Sequence, residues 1–138
     1  MTVDNHLHRR SATAWFRDVA EPGTAVFCRS TQQSFLRLLT NPSVFARYGS
    51  PPLSNAQAWD TYDALARDER VGFEPTDPLG LEAHWRQFSP RRTASTKLWM
   101  DAYLAAFAVA SGLRLVTTDA AFRQFAGLDV LVLGAAAA

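Results

Sequence analysis

Two aspartates carry the clearest chemistry in this chain of 138 residues. Asp101 lies inside LWMDAYLAAFAVA, a run that is otherwise almost entirely apolar, and Asp119 directly follows the run LRLVT. A carboxylate on an apolar helical stripe, here shared with Leu98, Ala105 and Ala108, is costly to bury unless it is paired, protonated or bound to a cation. Taken alone, Asp101 reads equally well as a helix-edge carboxylate that meets water or an arginine. Taken alone, Asp119 reads as an N-cap, because Thr-Thr-Asp before a helix is ordinary capping sequence. Together they say more. One projects from a helix and the other sits at the end of the next strand, across a tight Ser-Gly turn, so the two can converge on one crevice. Convergent carboxylates repel, and the usual remedy is Mg²⁺ or Mn²⁺, hard cations that prefer oxygen ligands and assist phosphodiester cleavage.

The elements that must hold these groups follow from periodicity. Leu7, Ser11, Trp15 and Val19 recur at helical spacing, with Asp4 or Asn5 able to cap the start and Glu21-Pro22-Gly23 as the break. Thr24 to Cys28 predicts a buried strand. Ser30 or Thr31 caps a helix that Asn41-Pro42 closes, and Ser54 starts another with Trp59, Tyr62 and Leu65 on one face. Val71 to Glu74 predicts a short strand, and Asp77-Pro78 a helix start running through Trp85. After the loop Ser89 to Ser95, a helix from Lys97 to Ser111 stops at Gly112. Leu113 to Thr117, a short helix opened by Asp119, and a strand from Asp129 to Leu133 complete the order, with the Ala tail after Gly134 as a frayed end. Strands alternating with helices favour a parallel sheet covered by helices, an α/β fold in a single domain over residues 1–138. In such sheets the ligand crevice lies at the carboxyl ends of the strands, where Asp119 falls.

The run DAYLAAFAVASGLRLVTTDAAF resembles the pattern of PIN-domain ribonucleases of the VapC toxin type, in which an Asp-Ala-x-Leu-Ala helix precedes a strand ending in Thr-x-Asp-x-x-Phe. The residues that carry the resemblance are Asp101, Ala102, Leu104, Ala105, Gly112, Thr117, Asp119 and Phe122. TQQSFLRLLTNP, Thr31 to Pro42, is similar to the helix that carries a further metal-site acid, and HLHRRSATAWF more weakly to the first helix. The resemblance implies a three-layer PIN-like fold and an Mg²⁺-dependent endoribonuclease toxin, with Mn²⁺ as a possible substitute. It also implies a homodimer that acts on structured RNA such as tRNA or rRNA and is silenced by a VapB-type antitoxin.

The chain departs from the family pattern twice. Gln32 stands where the family has Glu, and an amide oxygen can coordinate a cation but contributes no charge. The apolar first strand ending in Asp-x-Asn, central in the family's sheet, is absent. Asp4-Asn5 is no substitute, for it lacks the apolar run before it. Retained patterning elsewhere favours a chain that starts downstream of that strand over a degenerate copy. Asp101 and Asp119 as metal ligands, with Gln32 assisting, make a poor magnesium site, so weak or absent activity is expected of the chain as written.

The remaining features set bounds. A formal net charge of +1 does not announce a nucleic-acid ligand, so RNA contact requires a local basic patch. Arg91, Arg92 and Lys97 form the compact basic cluster, read either as a solvated loop or as groups that position a phosphate beside the acidic site. Cys28 is the single cysteine, a buried small hydrophobe rather than part of a disulfide or zinc site. His6 and His8 alternate by two and suit a surface or capping role, and His84 suits partial burial. The four tryptophans fall on or beside apolar stripes, which favours core or interface packing over base stacking. No apolar run is long enough to span a membrane and no signal-peptide core is present, so a cytoplasmic protein is expected. Against the nuclease stand two other classes: a catalytically inactive PIN-like module that binds antitoxin or RNA, and a small α/β binding domain unrelated to nucleases. The last would place Asp101 and Asp119 on different faces of the sheet.

Overall fold

The computed structural model describes residues 9–46 and 49–134. The expectations for Asp4, Asn5, His6, Leu7, His8 and the Ala tail lie outside the described residues. The chain divides into two compact units, one ending at Pro75 and the other beginning at Thr76.

In the first unit, α1 (Arg9–Asp18) leads through the Pro22-Gly23 turn to β1 (Ala25–Cys28), which runs straight into α2 (Arg29–Leu39). No loop separates strand from helix. Cys28 is the N-cap, and its N–H donates to Thr31 Oγ1 at 2.9 Å, so Thr31 closes the turn from the third helical position rather than from the cap itself. A short helix follows, α3 (Pro42–Ala46), because Asn41 Oδ1 accepts the N–H of Ser43 at 2.9 Å and Pro42 is already set at a helical φ. Then come α4 (Asn55–Ala66), capped reciprocally by Ser54 and Gln57, and β2 (Val71–Glu74). β2 pairs with β1 in parallel, Ala25 opposite Val71 and Cys28 opposite Glu74. Gly72 lies so close to the Gly23 carbonyl that a Cβ there would sit 3.2 Å from its oxygen. Phe27, Phe35, Trp59 and Tyr62 form an edge-to-face cluster over the pair, above buried Cys28, Leu39 and Ala58.

Arg70 ties α1 to this unit. Its Nη1 donates to the Phe16 carbonyl at 2.9 Å, its Cζ lies 4.0 Å over the Phe16 ring, and Nε and Nη2 grip Asp68 at 3.0 and 2.6 Å. The side-chain hydrogen bonds from Arg70 hold the Asp68 carboxyl down at about 2. A depressed carboxyl stabilises the fold above its unfolded value of 3.8, and the contribution is lost as pH falls through about 2. Acid melting followed at the α1 amides therefore shows a limb in that window, and Asp68→Asn removes it. An unchanged limb in the variant would show that other groups set it.

The second unit contains α5 (Leu81–Phe88), α6 (Leu98–Ser111), β3 (Leu115–Thr117), a short 3-10 helix (Ala120–Gln124) and β4 (Val130–Val132), with β3 and β4 parallel. α5 starts at Leu81, three residues past Pro78, since Gly80 turns left-handed at φ 83° and Asp77 is engaged elsewhere, accepting the Tyr103 hydroxyl at 2.7 Å. α6 buries Leu98, Ala102, Ala105, Ala106, Phe107 and Ala108, and its four alanines let α5 pack close. Ala106 is fully enclosed, so Ala106→Leu should cost about 1–3 kcal/mol of unfolding free energy through overpacking, measurable by denaturant melts. A neutral outcome would mean slack beside α6.

The expected parallel α/β architecture is present, but as two separate two-stranded sheets, β1-β2 and β3-β4, among the described residues.

Candidate metal centre

Asp101 occupies the first turn of α6, on the helix face that Leu98, Ala105 and Ala108 also bury. Its side chain is 16% exposed. Asp119 enters from the other side of the Gly112 turn. Its N–H donates to Thr117 Oγ1 at 3.1 Å, and its Oδ1 accepts the N–H of Ala121 at 2.9 Å, capping the 3-10 helix. Capping thus uses one carboxylate oxygen and leaves Oδ2 for the crevice. Asp119 is thus the cap that its sequence suggested, with its second oxygen turned toward the side of Asp101.

The two Oδ2 atoms meet at a single cation, the ammonium of Lys97. Nζ lies 3.0 Å from Asp119 and 3.5 Å from Asp101. The hydrogen bond to Asp119, then the nearby Asp101 charge, raise the Lys97 pKa above its ordinary value. The Asp119 carboxyl is held below the usual carboxylate range, first by the Ala121 N–H and then by Lys97. Placement on opposite faces of a sheet, the mark of an unrelated binding domain, is not what the geometry shows.

The other expected site residues are distributed differently. Arg91 is exposed and donates to Gln124 Oε1 at 3.0 Å, and Arg92 is exposed on the same loop. Lys97, grouped with them by sequence, turns instead to the carboxylates. Its place four residues before Asp101 is the signal that could have revealed this. Thr93, Ser95, Thr96 and Trp99 join Arg91 around an open hollow of about 400 Å³. Gln32 belongs to the first unit, on α2 just after β1. It is 7% exposed, the buried polar residue among those described, and its Oε1 accepts a hydrogen bond from Arg29 Nη1 at 2.6 Å. His84 is half-buried and stacks on Phe88, in line with a structural role, whereas Trp59 and Trp99 are more exposed than core packing requires.

The donor set suits a hard divalent cation in kind. Two anionic oxygens already converge on a positive centre, and Mg²⁺ characteristically takes one or two carboxylates and fills its remaining positions with water and substrate phosphate. No group of three or more His, Cys, Asp or Glu side chains gathers among the described residues.

A family model described as PIN domain matches residues 2–128. The chain belongs to the PIN-domain family. This PIN-domain protein is 49% identical over 133 residues to Ribonuclease VapC41 of Mycobacterium tuberculosis, in strain CDC 1551 and equally in strain H37Rv, covering 96% of this chain and 91% of the relative. The relationship places it among VapC-type PIN domains, a group that generally depends on divalent metal. No helix among the described residues is long and apolar enough to cross a membrane.

Proposed function

We propose that this chain is a VapC-type endoribonuclease toxin that hydrolyses RNA phosphodiesters with Mg²⁺ or Mn²⁺ and is neutralised by a VapB-type antitoxin. The observation that carries the reading is the convergence of Asp101 Oδ2 and Asp119 Oδ2 on one cationic point, in a chain 49% identical to a VapC ribonuclease. Asp101 and Asp119 would hold the metal, and the family resemblance would give Gln32 an assisting role through its amide oxygen. When bound, the cation supplies charge stabilisation and a more acidic water. Asp101 is fixed by the buried face of α6, and Asp119 by its cap to Ala121, so neither carboxylate needs to reorganise. Arg91 and Arg92, with Lys97 when it is not held by the aspartates, meet the backbone phosphates and so position the strand. The substrate is structured RNA, tRNA or rRNA, the protein is a cytoplasmic homodimer, and residues 1–138 act as one PIN domain.

A second reading, a binding module without catalysis, draws support from Gln32 in place of an acid and from the absence of a three-acid cluster among the described residues. Incubating the purified chain with labelled tRNA and rRNA fragments and Mg²⁺ separates the two. The first reading expects discrete cleavage products, formed slowly because Gln32 brings no charge to the site. RNA retained intact at every metal concentration would favour the second.

A further inference from the structure

The bond from Lys97 to both carboxylates gives this lysine a role of its own. We propose that Lys97 is a built-in competitor for the metal: its ammonium occupies the point between Asp101 and Asp119, and a divalent cation binds by displacing it. The inference rests on the reading of those aspartates as metal ligands and adds a control on when they are free.

The geometry supports exchange rather than permanent pairing. Lys97 is the residue just before α6, four positions ahead of Asp101, and its side chain is 71% exposed. A four-carbon stem rooted at a helix end can swing its charge out to water at little cost. Asp101 and Asp119 have no such freedom, one on a buried helical face and the other bound to the Ala121 N–H. What moves is therefore the lysine, while the carboxylates stay converged with or without metal. The ammonium lowers their mutual repulsion in the metal-free protein, and for the same reason it raises the concentration of metal needed to load the site. Arg29 on Gln32 Oε1 shows a similar basic residue three positions ahead of a candidate ligand, in the first turn of α2.

Lys97 is the sole lysine in the chain, which makes the idea directly readable. Calorimetric titration with Mn²⁺ should find Lys97→Met binding roughly three- to thirtyfold more tightly than the unaltered chain, the gain expected from releasing two partly exposed ion pairs. Asp101→Asn should bind far more weakly than either. In parallel, ¹³C-lysine labelling gives a single side-chain methylene signal set for the unaltered chain. Titration with diamagnetic Mg²⁺ should move the Lys97 ε-methylene signal toward the position of free lysine, and Asp101→Asn should blunt that movement. Mn²⁺ binding that is unchanged or weakened in Lys97→Met, or a lysine signal that stays put while Mg²⁺ binds, overturns the competitor role and leaves the metal site standing. Failure of Mn²⁺ to bind either the unaltered chain or Lys97→Met overturns both.

Discussion

Asp101→Asn should lower the rate of RNA cleavage by about 10²–10³-fold or more, the scale expected when a charge that helps hold a catalytic cation is removed from a preorganised site. The substitution is close to isosteric and its side chain stays at the first turn of α6, so far-ultraviolet dichroism and the melting profile should change little. Asp119→Asn should match it in rate. The pair of variants gains force from the second task of Asp119. Its Oδ1 caps the 3-10 helix through the Ala121 N–H, and an Asn can keep that bond while Ala cannot. Asp119→Ala should therefore lose activity to the same degree and about 0.5–2 kcal/mol of stability besides. Combining Asp101→Asn with Asp119→Asn should cost little more than either alone, since residues that act as one unit are not additive. Cleavage that survives both substitutions would remove these aspartates from the reaction.

The second large effect concerns the cation. Chelation with EDTA should reduce cleavage to background, and Mg²⁺ or Mn²⁺ in excess should restore it. The fold should survive chelation, because Lys97 neutralises part of the carboxylate charge in the metal-free protein. Added metal then stabilises by mass action, about 2.7 kcal/mol at a hundredfold excess over its dissociation constant. Both the rate and the melting temperature should respond in the unaltered chain, and neither in Asp101→Asn. A ribonuclease activity indifferent to EDTA would point to acid–base chemistry by other residues and away from this centre.

Much of this arrangement was legible in the residues. The Ser54 cap, the strand Val71–Glu74 and the stop of α6 at Gly112 follow from local rules that tertiary contacts did not override. The convergence of Asp101 and Asp119 was legible too, since helix, tight turn and strand leave little choice of geometry. Elsewhere local signals were put to other use. Leu113 looked like the start of a strand, but its N–H closes α6 by donating to the Ala108 carbonyl at 2.9 Å, so β3 begins only at Leu115. Asp77-Pro78 looked like a helix start, but Asp77 serves Tyr103 instead. Pro42 ends one helix and begins another. The division into two strand pairs was hidden for a different reason: pairing is a non-local choice, and apolar patterning names a strand without naming its neighbour. The position of Lys97 was hidden by its company, because two nearby arginines made it look like part of an outward-facing basic loop.

The packing behind Asp101 also has an optical consequence. The Trp85 indole N–H donates to the Trp99 carbonyl at 3.0 Å, bridging α5 to the first turn of α6, and its ring meets Tyr103 edge-on at 5.6 Å. A chromophore is thus fastened to the turn that carries the carboxylate. Any event that tightens or loosens that turn changes the polarity and hydrogen bonding around the Trp85 indole, and with them its emission. Metal added at Asp101 should therefore shift the tryptophan emission, and Trp85→Phe identifies that indole's share of the signal among the four tryptophans.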